Sequence, residues 1–415
     1  MKKILFIISA FITLSGQAQT FPVGHMSVNF KDAGRSGGYT ISGGIAMTGT
    51  GRTIGTEIYY PATTAGNNTA VAAGQFPIVV FGHGFAMTWD SYDNVYNRLA
   101  ALGYIVLLPR TESGIFPTPV HADFGLDLRS LVNQGMALNS TSTPSALATF
   151  NGKVLQKAAI GGHSMGAGCS FLAAASNNTA TCIFNFAAAT SNNTPNSIAS
   201  ASMVTVPTLV ISGEKDSVAD SLVQNDHYNA TGSSVKFHAI IKNVTHCDFG
   251  NGTSNTCNIG QASCSGAGCN ATLFAKYMTY VEPFLANQLK SDCNEGNRFM
   301  DSINTVSPNR VGRKITGTIA CATTGIEEFT TFNHLSVFPN PTQGNITISY
   351  ISETSTPVLF ELVDITGRLI LKTTGTSEVA SPVKKEINME QIHQGSYILY
   401  ISQGNMKSSH KIIKF

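Results

Sequence analysis

The apolar runs Ile78–Phe81, Tyr104–Leu108, Ala158–Ile160 and Thr208–Ile211 show no alternation between apolar and polar residues. A strand with one face in water alternates with period two, so runs without it are expected from strands buried on both faces. Helical patterns lie between them. Asp90 can cap a helix through Leu102 with Gly103 as its stop, and Ala122 to Met136 and Ala271 to Leu289 read as further helices, the last kinked at Pro283. Strands alternating with helices predict an α/β domain, a mostly parallel sheet flanked by helices.

One strand–helix junction carries chemistry. Lys157 to Gly161 reads as a strand, Met165 to Ser176 as an Ala-rich helix, and Gly162-His163-Ser164-Met165-Gly166 stands between them. A serine at so sharp a turn projects its Oγ, flanking glycines permit close backbone approach, and a helix N-terminus favours developing negative charge. A serine hydroxyl is a weak nucleophile without a base, and the base needs an orienting acid. Where G-x-S-x-G sits in an α/β sheet, these partners follow in the order Asp/Glu, His, each just past a strand. After Thr208–Ile211 comes Gly213-Glu214-Lys215-Asp216-Ser217, and after Phe237–Ile241 comes Asn243-Val244-Thr245-His246.

Asp216 is the expected acid in preference to Glu214, which falls nearer the strand end; Asp220 and Asp226 are expected inside the following helix. His246 is the expected base. Oxyanion donors are expected from the backbone N–H of Met165 and of Phe85, the latter in Gly82-His83-Gly84-Phe85. His83 and His163 read as structural or packing histidines, and Phe85 and Trp89 as candidate substrate contacts.

The N-terminus points to export. Lys2 and Lys3 precede the apolar run Ile4 to Leu14, and Gly16 and Ala18 suit a cut after Ala18, so residues 1–18 are expected to be a signal peptide. No Cys follows the cut, so no lipid anchor is expected, and no later segment reaches the ~18 apolar residues of a membrane span. All eight cysteines are downstream of the signal, and an even number in an exported chain favours disulfides. Cys293–Cys321 is the expected pair, and Cys247 is expected to staple the loop beside His246. There is no CxxC and no Cys/His cluster of zinc spacing, so no metal and no cofactor is expected. A net charge of +2 with no basic tract offers nothing to nucleic acid.

Beyond Cys321 the texture changes. From Leu335 alternating runs appear, among them Ile346 to Tyr350, Leu359 to Val363 and Tyr397 to Ile401, punctuated by Asn340-Pro341, Gly344, Gly367, Gly395 and Gly404. This spacing predicts a small β-sandwich. The expected organisation is signal peptide 1–18, catalytic domain 19–321, linker 322–335 and C-terminal domain 336–415.

Residues 50–290 resemble the α/β-hydrolase family, in the branch of dienelactone-hydrolase-like, chlorophyllase-like and cutinase-like esterases. The resemblance is carried by Arg52-Thr53-Ile54, Tyr59-Tyr60-Pro61-Ala62, Phe76 to Phe85, Ala101-Leu102-Gly103-Tyr104, Asp127-Leu128-Arg129, Gly162 to Gly166 and Pro207 to Ala219. It implies a serine esterase with Ser164, Asp216 and His246 as its triad. Secreted polyester and cutin hydrolases of that branch share the acid loop Asp216-Ser217-Val218-Ala219 and an aromatic residue at Phe85. They often carry a tryptophan where this chain has Phe186-Ala187-Ala188-Ala189-Thr190, and Ala167 replaces a glycine common among them.

Residues 335–415 resemble the sorting domain of the type IX secretion system, through Val337-Phe338-Pro339-Asn340-Pro341-Thr342, Asp364-Ile365-Thr366-Gly367-Arg368, Gly395-Ser396-Tyr397 and Lys411-Ile412-Ile413-Lys414. This implies passage across the outer membrane by that machinery, removal of the domain, and release or attachment at the surface. The combined expectation is a secreted serine ester hydrolase using an acyl-enzyme. A cutinase-like polyester hydrolase and a non-catalytic surface binding protein on the same fold are the alternatives. A peptidase would usually need a propeller or large cap, and the N-terminal ~50 mature residues are too few for one. Residues 20–335 hold 17 basic and 18 acidic side chains, a near-neutral balance that fits an uncharged ester. The Cys257–Cys269 segment reads as a loop bordering the cleft.

Overall fold

A computed structural model of the chain describes residues 20–35, 51–141, 144–175, 179–191, 194–263, 269–319, 332–352, 355–376, 378, 382–403 and 406–415. The expected signal peptide and most of the expected linker lie outside these residues. The chain divides into two compact units, Met1–Cys321 and Ala322–Phe415.

The first unit opens with β1 (Val23–Asp32), β2 (Arg52–Pro61), the short β3 (Gly66–Asn67) and β4 (Phe76–Gly82). Next come α1 (Asp93–Ala101), β5 (Ile105–Pro109), α2 (His121–Ala137), β6 (Val154–His163) and α3 (Met165–Ala174). They are followed by β7 (Cys182–Phe186), α4 (Ser197–Ala201), β8 (Thr208–Gly213), α5 (Ser221–Ala230) and β9 (Lys236–Ile241). The unit closes with α6 (Asn255–Gly260), α7 (Cys269–Lys290), α8 (Cys293–Asn304) and β10 (Arg310–Thr316).

The strands form one sheet in the order β10-β9-β8-β7-β6-β4-β5-β2-β1-β3. From β5 through β4, β6, β7 and β8 to β9 all neighbours are parallel, while β2, β1 and β10 join antiparallel. Strands β4, β5, β7 and β8 are buried along their whole length. Successive side chains point to opposite faces. Ile78 and Val80 therefore join a core with Phe124 and Leu128 of α2 and Phe171 of α3. Val79 and Phe81 join a core on the other side with Leu99 of α1, Phe284 of α7 and Phe299 of α8.

Several local expectations change. Asp90 does not cap α1: Trp89–Tyr92 is a 3-10 turn, Tyr92 is the cap residue, and Asp90 takes a hydrogen bond from the Thr88 hydroxyl. Asp220 is not inside α5 but caps it, accepting from Leu222 N at 2.9 Å and Val223 N at 3.1 Å. The segment expected as loop from Cys257 contains most of α6, and α7 continues through Pro283. Cys169 and Cys182 are free and buried, so they serve as small apolar core residues. Cys247 pairs with Cys257. Cys293 is disulfide-bonded, and Cys321, its expected partner, lies outside the described residues.

The second unit holds β11 (Asn333–Phe338), β12 (Ile346–Ile351), β13 (Val358–Asp364), β14 (Leu369–Gly375), β15 (Pro382–Ile387), β16 (Gly395–Gln403) and β17 (Met406–Lys414). They form two antiparallel sheets, β11-β12-β15 and β14-β13-β16-β17. Ile348 and Ile387 of one sheet share a core with Phe360 and Leu399 of the other, a sandwich-like arrangement.

Candidate active site

Ser164 sits between β6 and α3 with φ 53° and ψ −114°, a backbone conformation that non-glycine residues rarely adopt. Its neighbours explain how the turn is tolerated. A Cβ on Gly162 would lie 2.5 Å from the Gly166 carbonyl carbon, and one on Gly166 would lie 2.2 Å from Gly82 O. Only glycine at both positions lets the turn pack onto the end of β4. Ser164 N–H donates to Phe186 O at 2.9 Å, and Gly166 N–H donates to His83 O at 3.0 Å.

The ends of β8 and β9 bring two further side chains to the serine. His246 Nε2 lies 2.9 Å from Ser164 Oγ, and His246 Nδ1 lies 2.9 Å from Asp216 Oδ2. A carboxylate only accepts, so Nδ1 carries the proton and Nε2 can accept from the serine hydroxyl. Asp216 is held through its other oxygen, Oδ1, by Val218 N–H at 3.0 Å and Ala219 N–H at 2.9 Å. Ser164 and Asp216 are each 7% exposed and His246 3%, so all three are largely shielded from bulk water. Glu214, the alternative acid, instead accepts from Asn243 N–H at 2.8 Å.

His163 and His83 are tied to backbone and side-chain partners around the serine turn. His163 Nε2 is 2.9 Å from His246 O, a carbonyl that can only accept, so His163 Nδ1 accepts from Tyr92 Oη–H at 2.8 Å. Gly84 N–H in turn donates to Tyr92 Oη at 2.9 Å. This buried chain joins the loop after β4, the serine turn and the His246 backbone. Burial, reinforced by the neighbouring His246, holds His163 well below the usual histidine range, and burial raises the Tyr92 phenol well above its own. His83 has its ring nitrogens 2.9 Å from Gly84 O and 2.8 Å from Thr111 O, and burial lowers its pKa.

Met165 is the first residue of α3, so its N–H has no partner within that helix. Phe85 follows in the loop that His83 stitches to α3, and its side chain is 42% exposed. Trp89 has ring contacts with Tyr59 and Tyr96 at centroid distances of 5.9 and 5.8 Å and with His25 at 6.3 Å.

A buried charge cluster fixes the loop after β5. Arg52 Nη2 meets Glu112 Oε1 at 2.8 Å and Asp127 Oδ2 at 2.6 Å, and Arg35 Nη1 meets Asp127 Oδ1 at 2.6 Å. Thr111 Oγ1, one residue before Glu112, donates to Asp127 Oδ2 at 2.7 Å. Sequence reasoning singled out Arg52 and Asp127 only through resemblance. It missed Tyr92 and also Gln224, whose amide donates to Ala219 O at 2.6 Å and Asp216 Oδ2 at 3.5 Å. Neither carries a motif. Among the described residues no group of three His, Cys, Asp or Glu is arranged to hold a metal, and no helix is long and apolar enough to cross a membrane.

Comparison with known proteins fits this architecture. Residues 29–266 match the family described as PET hydrolase-like, and residues 336–415 match the secretion system C-terminal sorting domain. The chain is 27% identical over 173 residues to a chlorophyllase type 0 of Chenopodium album, covering 41% of this chain and 48% of that protein. It thus spans about half the length of the curated relative it matches. The chain belongs to the PET hydrolase-like family of α/β hydrolases and carries a type IX sorting domain, which directs it to the cell surface or the exterior.

Proposed function

We propose that this member of the PET hydrolase-like family is a serine ester hydrolase that cleaves uncharged carboxylic esters through an acyl-enzyme. The observation that carries this reading is the unbroken line Asp216–His246–Ser164, with both links at 2.9 Å. His246 Nε2 takes the hydroxyl proton as Ser164 Oγ attacks the ester carbonyl carbon. The oxyanion accepts from the N–H groups of Met165 and Phe85. His246 then returns its proton to the leaving alcohol, and the acyl group remains on Ser164. A water deprotonated by His246 attacks that acyl carbonyl, releasing the acid and restoring the serine. Asp216 keeps the imidazole in the required tautomer and stabilises its cation in both steps.

Ser164→Ala is expected to lower turnover of p-nitrophenyl esters by about 10⁴-fold or more while leaving the melting temperature nearly unchanged. Activity equal to wild type in that variant would overturn the reading. A polyester substrate is the second reading, favoured by the family match and by the half-exposed Phe85. Soluble acid products released from a polyester film by wild type, and not by Ser164→Ala, would support it. We further propose the organisation 1–18 signal peptide, 19–321 catalytic domain, 322–335 linker and 336–415 sorting domain. N-terminal sequencing of the exported protein should begin at Gln19; a start at Met1 would contradict the signal.

A further inference from the structure

We infer that Gln261 is a positioning residue that locks the acid-bearing loop to the base-bearing loop, with the Cys247–Cys257 disulfide holding it in place. This inference rests on the triad reading of Ser164, His246 and Asp216. Asp216 and His246 follow different strands, so their mutual distance depends on whatever ties the two loops together. On the strand side of Asp216 the ties are Lys215 N–H to Val244 O at 2.9 Å and Asn243 N–H to the Glu214 carboxylate at 2.8 Å. On the far side the tie is one amide. Gln261 Oε1 accepts from Ser217 N–H at 3.0 Å and from His246 N–H at 3.0 Å, and Gln261 Nε2 donates to Lys215 O. Both lone pairs of the side-chain oxygen are therefore used, one on each loop.

Gln261 itself is anchored to the base. Cys247, next to His246, is bonded to Cys257, and Gln261 N–H donates to Cys257 O at 3.1 Å. The strap leaves the base through the disulfide and returns to it through the glutamine, gripping Lys215 and Ser217 on either side of the acid. No part of this contact requires a substrate. Its loss should loosen the acid–base geometry used in both chemical steps and leave ground-state binding alone.

The test compares Gln261→Ala, Gln261→Glu, the Cys247→Ser/Cys257→Ser double variant and the triple variant that adds Gln261→Ala to that pair, using p-nitrophenyl butyrate. For Gln261→Ala, kcat per folded molecule should fall about 10- to 100-fold with KM within about twofold. Gln261→Glu keeps the accepting oxygen and loses the donor to Lys215 O, so it should recover part of the loss and stay measurably below wild type. The double cysteine variant should lower kcat too, and the triple variant should lose little more, because both changes release the same contact. Wild-type kcat in Gln261→Ala, a loss confined to KM, or a loss that only follows the folded fraction would overturn the inference. If Gln261→Ala does not fold, wild-type kcat in Gln261→Glu overturns it. Ser164→Ala run alongside separates the two ideas: surviving turnover defeats the triad reading itself. An inactive Ser164→Ala beside a fully active Gln261→Ala defeats only the strap.

Discussion

In the first unit Arg52, Glu112 and Asp127 are all buried, and so are the polar groups around Ser164. In the second unit the ion pairs Arg368–Asp364 at 3.1 Å and Lys372–Glu361 at 2.8 Å have their basic ends in solvent. The contrast follows from the sheets. Parallel strands buried on both faces, with helices packed over them, leave buried polar side chains no outlet to water, so they must find partners. Antiparallel strands with one face in water, such as β12, give charge an outlet on every second residue. The first unit therefore depends on a few well-partnered polar groups, and the second on apolar packing around residues such as Phe360.

The comparison breaks most sharply at Arg52. Arg52→Ala takes from buried Glu112 its ion-pair partner and leaves Asp127 to Arg35, and should cost the first unit about 3–5 kcal/mol, whereas Lys372→Ala should cost the second unit within about 1 kcal/mol. Urea unfolding of the two variants measures both, and equal costs would refute the contrast.

Acid sharpens the same point with a somewhat smaller effect. Burial lowers His121, His227 and His238 to about 4, and lowers His163 and His83 as well. A histidine kept neutral in the fold binds its proton less readily than in the unfolded chain. Its stability contribution is complete above about 6.5 and is lost as pH falls from there towards about 4. The first unit should lose on the order of several kcal/mol across that window. In the second unit burial lowers His410, and Asp364 is held at about 2, chiefly by the Thr366 hydroxyl. The Asp364 contribution persists until pH drops below the ordinary carboxylate value near 3.8. Melting followed from pH 7 to 4 should therefore show the first unit's transition falling much further; a parallel fall in both would contradict the account.

The smallest effect should come from removing residues 322–415, which is expected to leave kcat/KM within about twofold. The hydrogen-bond partners described for the site all come from the first unit, so a large loss would show that its chemistry depends on the second.

The strands legible in the sequence are those with no outlet to water: β4, β5, β6 and β8 announce themselves as apolar runs. β1 alternates between buried and accessible positions, and with Lys31 and Asp32 at its end it offers no such run. Ser164, Asp216 and His246 could be singled out because nucleophilic chemistry restricts both residue type and chain order. Gln261 and Tyr92 could not, since Gln261 bonds to backbone groups and Tyr92 to one backbone N–H and the His163 ring, contacts that any suitably placed donor or acceptor could supply. The cysteine count favoured disulfides, and Cys247–Cys257 is one, but it could not tell which thiols stay unpaired. Cys169 and Cys182 are buried in the core as apolar groups, a role that parity does not reveal. Asp90 shows the limit of capping rules, because it falls inside the 3-10 turn Trp89–Tyr92 and α1 begins only at Asp93.

The most direct test of the account is to treat the folded protein with a fluorophosphonate and map the adduct by peptide mass spectrometry. One adduct per chain on Ser164, absent from Ser164→Ala and strongly slowed in His246→Ala, is the predicted result. An unlabelled protein that still hydrolyses esters, or an adduct on another residue that abolishes turnover, would contradict it.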